Sequence, residues 1–543
     1  MAATISTPSP KRSSGSEPLR LLLIVILDAL ISNLEDVRVV TGAVESIDIT
    51  DITDDSRRVT PGSLFIARAG VNDDGRAWIA DAIAFGAAAI LTDESGVGIA
   101  RQAGADARSQ PALLCARTDL RSLTSVIAER YHDAPATKLN LVGVTGSNGK
   151  TTVAWLVQQL CAGAGIPCGL ISTVETIAGA ERKAAVMTTP PAPAISALLA
   201  QMVGAGDRAC AMEVSSHALD QSRTSALDFN IAIFTNLTGD HLDYHGDMTA
   251  YANAKAKLFA SLKPDALAIV NADDPAHEQM LAGAHSKVCR CSEHDGDATV
   301  HLGESTIDGC RLTLTGAWGE IETRLPLIGA HNAMNALQAV VCAHHMGASR
   351  EQIEAVLSTL AAPSGRLERV ATPDNVVAPA VIIDYAHTDD ALEKTLTALR
   401  SLLPAGGKLR VVFGCGGERD TTKRPRMGAV AARLADVCYV TSDNPRTEPP
   451  GDIIEQVLAG ISESIRRDER RCIPIIQRRD AITMALHDAD SDDIVLIAGK
   501  GHERTQILPD GRGGTIKLPF HDATVAAEAL AAFAQTPTAE QRS

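Results

Sequence analysis

The run Asn140-Leu-Val-Gly-Val-Thr-Gly-Ser-Asn-Gly-Lys-Thr-Thr152 reads as an apolar strand, a glycine-containing turn and a helix start. Gly146 and Gly149 let the backbone around Ser147 and Asn148 turn its N–H groups toward an anion, and the helix that follows adds its dipole. Lys150 has the length to reach the β- and γ-phosphates of a nucleotide. Thr151, followed by Thr152, offers a hydroxyl to Mg2+. The general phosphate-loop pattern has glycine five positions before the second loop glycine, and Val144 stands there instead. Glu213 lies at the end of a second apolar run, Ala209–Val214, which puts its carboxylate at the carboxyl edge of a sheet beside the loop. A hydroxyl and a carboxylate are oxygen donors that suit Mg2+. ATP as co-substrate and Mg2+ as cofactor are the expectation.

Three further motifs follow apolar runs: Gly414-Cys-Gly-Gly-Glu-Arg-Asp420, Asp443-Asn-Pro-Arg446 and Gly499-Lys-Gly-His-Glu503. In an open α/β sheet that edge is where ligands bind. Arg419 and Arg446 can grip a carboxylate with planar, charge-assisted bonds, and Glu503 can pair an ammonium. Asp443, Asn444, Pro445 and Gly499 complete this set. An amino acid without a second carboxylate leaves Arg446 buried and unpaired, and such a mismatch rejects the analogue by about 10⁴-fold when the site is dry. Asp54-Asp-Ser-Arg-Arg58 and Val71-Asn-Asp-Asp-Gly75 form a separate cluster of turn residues near the N-terminus.

Strand–helix alternation along the chain must position these groups. The 543 residues suit several domains, and 45% apolar with 21% charged residues is ordinary for a globular protein. Aromatics at 3% leave the cores to Ala, Val, Leu and Ile. A net charge of −16 repels a phosphate backbone and argues against nucleic acid as a partner. Eleven cysteines without a CxxC pair fit a reducing compartment better than a disulfide framework. Residues 1–17 read as a disordered tail and 18–34 as a first helix, whose apolar run Leu21–Leu27 is too short to span a bilayer. No other run reaches membrane length, so the expectation is a cytoplasmic protein without a membrane partner.

The fold class expected is α/β in three domains. An N-terminal α/β domain covers 18–137, with strands at Gly62–Ala67, Ala88–Leu91 and Ala112–Cys115. A central phosphate-loop domain covers 138–368, with a parallel sheet built from Leu139–Val144, Ala209–Val214, Ile231–Asn236 and Leu267–Asn271. A polar β-like stretch, 298–328, and a helix, His331–His345, follow in the same domain. A Rossmann-like C-terminal domain covers 369–543, with strands Ala380–Tyr385, Lys408–Gly414, Val437–Thr441 and Asp493–Ala498, each followed by a helix.

The variant loop Gly-Ser-Asn-Gly-Lys-Thr-Thr resembles that of the Mur ligase family and its relative folylpolyglutamate synthetase. The likeness extends over nearly the whole chain: Glu213 in Met-Glu-Val-Ser-Ser-His, His241 in Thr-Asn-Leu-Thr-Gly-Asp-His, Lys255 in Asn-Ala-Lys-Ala-Lys, Asn332 in Gly-Ala-His-Asn-Ala, Arg366 in Gly-Arg-Leu-Glu, and Asp-Tyr-Ala-His at 384–387. It implies an ATP-dependent, ADP-forming ligase of peptidoglycan precursor synthesis that activates a carboxylate as an acyl phosphate. By that likeness Lys150, Glu213, His241 and Lys255 are catalytic, Asn332 and Arg366 join the loop in holding ATP, and Thr151, Glu213, His241 and a carbamylated Lys255 hold Mg2+. Ser56, Val71, Asn72 and Asp73 contact the UDP-sugar end of a UDP-MurNAc-dipeptide, and the N-terminal domain is a UDP-binding one. Thr188, Thr189, Ser215, Gln221 and Arg223 contact the muramoyl-dipeptide, where Met187 replaces a polar neighbour that relatives can carry. Asp-Asn-Pro-Arg resembles the form associated with meso-diaminopimelate, and a monomer is implied.

Four other readings are weighed against this one. The same ligase using L-lysine lacks a partner for Arg446. Against another ligase of the same architecture, such as a folylpolyglutamate synthetase or a neighbouring Mur enzyme, stand Asp443–Arg446 and the N-terminal cluster. A phosphate-loop switch needs no amino-acid pocket. A UDP-sugar-binding module has no use for Lys150, Thr151 and Glu213 together.

Overall fold

Strands that are apolar on both faces need a helix layer on each side, and the central sheet has them. In the computed structural model, residues 23–70, 73–105, 111–373, 376–468 and 471–533 are described. The tail assigned to 1–17 and the site positions Val71 and Asn72 lie outside them.

The chain is an α/β protein whose described residues form three large sheets and two two-stranded ones. By its contacts it divides after Ala134 into two compact units. In the first unit, Asp51–Thr53, Ser63–Ala67, Ala89–Thr92 and Ala112–Ala116 run parallel, and Val37–Thr41 closes the edge antiparallel to Ala112–Ala116. The helix expected over 18–34 is shorter in the described part. Val25–Ile26 is instead a short strand on Asp48–Ile49, and only Leu27–Ile31 is helical. The β-branched run Ile24-Val25-Ile26 favours extended backbone.

In the second unit, the larger sheet has the order Cys168–Ile171, Ala209–Glu213, Asn140–Thr145, Ile231–Phe234, Leu267–Asn271, Lys287–Ser292, Ala298–Thr306, with all of these pairs parallel. Antiparallel strands extend both ends: Glu175–Ala178 with Glu181–Ala184, and Gly309–Gly316 with Gly319–Leu325. Helices Lys150–Gly163, His331–His345 and Arg350–Leu357 bury their apolar stripes on one face. Ala192–Ala205 and Met248–Ala260 cover the other.

The smaller sheet runs Glu368–Arg369, Ala380–Asp384, Ile494–Ala498, Leu409–Phe413, Val437–Thr441, Cys472–Ile475, parallel except at its first edge. One expectation fails here. Ile494–Ala498 is followed by a hairpin, Thr505–Pro509 with Thr515–Pro519, before helix Asp522–Phe533. Among the described residues, no helix is long and apolar enough to cross a membrane. All eleven cysteines are free thiols.

Candidate active site

The phosphate loop is braced before any ligand arrives. Gly146 has φ +147°, and a Cβ there would lie 1.9 Å from Thr235 Oγ1. Gly149, at φ +84°, caps the helix Lys150–Gly163. The segment Thr235-Asn-Leu-Thr238 fastens the loop from the neighbouring strand. Ser147 N donates to Asn236 O (2.8 Å), Asn148 N to Asn236 Oδ1 (3.0 Å), and Thr235 Oγ1 to Asn148 O (2.6 Å). Thr238 N donates to Ser147 Oγ at 2.9 Å. Val144, the departure from the general pattern, is a fully buried strand residue whose side chain belongs to the core.

Two lysines converge on one carbonyl. Lys150 Nζ donates to Gly146 O (2.9 Å) and Ser147 O (3.0 Å), and Lys255 Nζ donates to Gly146 O at 2.7 Å. Burial pushes the pKa of Lys150 down, Arg366 adds to this, and Glu213 opposes it. Lys255 is 1% exposed. Burial first, and then the Lys150 charge, push it well below an ordinary lysine. Lys257, two positions on, is exposed and pairs with Asp220 at 3.0 Å.

Glu213 ends its strand with 1% exposure. It accepts from Thr173 N at 2.6 Å, and Thr173 Oγ1 lies 3.1 Å from both Glu213 Oε2 and Thr188 Oγ1. Thr151 is buried on the first turn beyond the loop, while Thr152 is half-buried beside it. His241 sits exposed at φ +53°, with Nε2 3.5 Å from Asp240 Oδ2 and its ring packed edge-on to His217 and Tyr251. Asp240 also acts electrostatically on Lys150 and Lys255, a role sequence reasoning missed.

Among the described residues, no three His, Cys, Asp or Glu side chains form a metal cage. Mg2+ binds through one or two protein oxygens and shares the rest with phosphates and water. Thr151 and Glu213 fit such an ion by their donor chemistry. Lys255 as a free amine does not, because it donates to Gly146 O. Only a carbamate on it would be an oxygen ligand.

Next to Glu213, the dipeptide set comes together. Thr189 Oγ1 donates to Glu213 O (2.8 Å) and accepts from Ser215 N (3.1 Å). Ser215 caps the short helix Ser216–Asp220. Arg223 reaches Thr189 O (2.7 Å) and Gln221 Oε1 (2.7 Å), and Gln221 reaches the Tyr244 hydroxyl at 3.3 Å. Met187 is exposed, with its sulfur 3.6 Å from Arg223. In the first unit, Ser56 opens a turn whose cap is Asp55, and Asp73 is exposed with its carbonyl accepting from Gly70 N.

Asn332 is buried, donating to Ile328 O and accepting from Asn335, both at 2.8 Å. Arg366 lies over the Tyr385 ring at 4.9 Å, with a buried Nε that has no hydrogen-bond partner. Asp384 accepts from Leu367 N and Ala386 N, which fixes the Arg366 turn against the first edge of the smaller sheet.

The three C-terminal motifs meet at the carboxyl edge of the smaller sheet. Arg446, at φ +55°, donates to Gly417 O at 2.6 Å. A Cβ on Gly416 would lie 3.2 Å from Arg446 Nη1 and 3.7 Å from Arg419 Cγ, so both arginines flank one point. Arg446 is half-buried and Arg419 exposed, which corrects the expectation of a buried Arg446. The strong rejection of lysine that burial implied has no support in this conformation. Glu503 Oε2 accepts from Asn444 Nδ2 (2.7 Å) and Lys500 Nζ (2.9 Å). Burial raises the pKa of Asp443 against the opposing pull of Lys500. Gly499, at φ +111°, packs against it, and Pro445 is buried. Lys500, fully buried, is the group sequence reasoning left without a role. Its place inside the Gly-Lys-Gly-His-Glu motif was the signal.

Fold and site together define an ATP-dependent, ADP-forming amino-acid ligase. A Mur ligase middle domain matches residues 144–343, and a Mur ligase glutamate ligase domain matches 365–501. The UDP-N-acetylmuramoyl-L-alanyl-D-glutamate–2,6-diaminopimelate ligase of Ectopseudomonas mendocina (strain ymp) is 41% identical over 89% of this chain and 96% of its own length. The enzyme of the same name from Gloeobacter violaceus is 43% identical over 90% and 95%. A solved structure of a ligase of that name superposes with a TM-score of 0.64 at 28% identity, covering 94% of this chain and 100% of its own. The chain belongs to the Mur ligase family.

Proposed function

We propose that this protein adds meso-diaminopimelate to the D-glutamate of UDP-N-acetylmuramoyl-L-alanyl-D-glutamate, converting ATP to ADP and phosphate, in the cytoplasmic assembly of peptidoglycan precursors. The observation that carries this reading is the pairing of two sites in one unit. One is a braced phosphate loop with Lys150 beside Glu213, and the other is a two-arginine, one-glutamate cluster at Arg446, Arg419 and Glu503. The names of the relatives agree with it.

A carboxylate is a poor electrophile, so it must first be activated. The D-glutamate carboxylate attacks the γ-phosphate and forms an acyl phosphate as ADP leaves. The amine of diaminopimelate then attacks the acyl carbon, and phosphate departs. Lys150, Arg366 and the start of the helix Lys150–Gly163 neutralise the charge that gathers there, since Ser147 N and Asn148 N are already taken by Asn236. Gly146, Ser147, Asn148, Gly149, Thr152 and Asn332 complete the ATP site. Thr151 and Glu213 would hold Mg2+, which screens phosphate charge when bound. His241 and a carbamylated Lys255 would serve a second ion. Supporting the modification are the burial of the Lys255 amine and its crowding by Lys150.

Thr188, Thr189, Ser215, Gln221 and Arg223 receive the muramoyl-dipeptide, and Ser56 and Asp73 the UDP-sugar end. Arg419 and Arg446 take the far carboxylate of diaminopimelate. Glu503, Asp443 and Asn444 take the far ammonium, with Pro445 and Gly499 shaping the loop. The domains run 18–137, 138–368 and 369–543. The enzyme acts as a monomer on small molecules, without nucleic acid or membrane. Positional isotope exchange in ATP tests the acyl phosphate. Exchange that requires the UDP-dipeptide supports it, and exchange that ignores the carboxylate substrate, or none with all substrates present, contradicts it.

A further inference from the structure

Lys500 is a fully buried ammonium between Gly499 (φ +111°) and Gly501 (φ +51°). An ammonium has three protons, and each has an acceptor here: Asn444 Oδ1 at 3.1 Å, Glu503 Oε2 at 2.9 Å and Thr505 O at 2.9 Å. Asp443 Oδ1 is 3.6 Å away. Asn444 then turns its amide nitrogen onto the same Glu503 oxygen at 2.7 Å and takes Ile507 N on its own oxygen at 3.0 Å. One side of the Glu503 carboxylate is thus fully engaged, and no described residue donates to Oε1.

Two buried ion pairs surround this point. Lys500 and Arg478 are cationic, while Asp443, Glu503 and Asp522 are anionic. Arg478 and Asp522, both fully buried, bond each other at 2.6 Å, and Arg478 also holds Ala498 O, next to Gly499. Arg478 is thus taken up by Asp522, while Lys500 is shared between Asp443 and Glu503, so Glu503 Oε1 keeps acceptor capacity for a ligand's ammonium.

We propose that Lys500 is a positioning residue for the acceptor amino acid. It locks Glu503 and Asn444 so that Glu503 Oε1 faces the far-end ammonium, and it never touches the reacting atoms. This rests on the diaminopimelate reading of the site. Lys500 sets selectivity for an acceptor with an ammonium at its far end, and it does so through Glu503.

The test is a steady-state comparison of wild type, Lys500→Met, Glu503→Gln and the double variant, with the KM of each of the three substrates measured. Loss of a buried charge-assisted network predicts a rise in the meso-diaminopimelate KM of about tenfold to a hundredfold for Lys500→Met. The KM values for ATP and the UDP-dipeptide stay within about twofold of wild type, as expected for a residue that touches neither. Because Lys500 acts through Glu503, the double variant is no worse than Glu503→Gln alone. An unchanged diaminopimelate KM in Lys500→Met, an equal rise for all three substrates, or additive losses overturn the proposal. If Lys500→Met gives no cooperative melt, Lys500→Arg carries the test. Its planar fork cannot serve the same three acceptors, so the same selective KM rise is expected and its absence is decisive. Wild type that turns over no meso-diaminopimelate overturns the functional reading itself and this proposal with it.

Discussion

Glu213→Gln separates chemistry from folding at the centre of the site. Glutamine keeps the length and volume of the side chain. Its carbonyl still accepts from Thr173 N, which lies 2.6 Å away in the wild type, and its amide can donate to Thr173 Oγ1. The change in stability should stay within about 1 kcal/mol, the scale of one altered hydrogen bond. The charge, however, is gone. Lys150 loses the carboxylate that offsets its burial, and the Mg2+ site loses its anionic oxygen. Removing one preorganised group that stabilises transition-state charge costs about 10²–10³ in kcat, or about 3–4 kcal/mol. The assay is ADP release with ATP, UDP-dipeptide and diaminopimelate at saturation, alongside a thermal melt. A folded variant with kcat within about threefold of wild type refutes the charge argument, since the neutral isostere would then do the same work.

Gly146→Ala combines a φ of +147° with a Cβ 1.9 Å from Thr235 Oγ1. It should cost about 1–3 kcal/mol and raise the ATP KM, with partial relief on adding Thr235→Ala; a normal ATP KM in the single variant would show that the loop tolerates the strain. Arg446→Ala should raise the diaminopimelate KM about tenfold or more while the UDP-dipeptide KM is unchanged, and an equal loss of both would point to misfolding. Burial, helped by the Arg366 charge, lowers His502 to about 4 from its ordinary 6.5. The unfolded chain therefore binds that proton more tightly. Stability is fully present above pH 6.5 and falls by up to about 3 kcal/mol as pH drops to about 4. His502→Gln should flatten that slope in denaturant melts across the window, and an unaltered slope would place the acid sensitivity elsewhere.

Local chemistry was the most legible part of the sequence. The loop at 146–152, the strand-end Glu213 and the three C-terminal motifs announce themselves because a few adjacent residues fix both backbone and function. The helix His331–His345 and the strands Leu267–Asn271 and Val437–Thr441 were clear because each is a long run of one period. What escaped depends on distant partners. Thr173 holds Glu213 from a connection with no motif of its own, and Asp240 reaches the lysines only through the fold. Lys500 gains a role only when Asn444, Glu503 and Thr505 enclose it. The degree of burial of Arg446 was misjudged because exposure is a tertiary property, and the strand at Val25–Ile26 because its pairing partner lies at Asp48–Ile49.

The most direct test of the central claim is a ligation assay of the purified protein with ATP and UDP-N-acetylmuramoyl-L-alanyl-D-glutamate, offering meso-diaminopimelate or L-lysine in parallel. The arrangement of Arg419, Arg446 and Glu503 predicts formation of the diaminopimelate product and a lower kcat/KM with lysine, which lacks the far carboxylate the two arginines would take. Equal use of both amino acids, or preference for lysine, would contradict it.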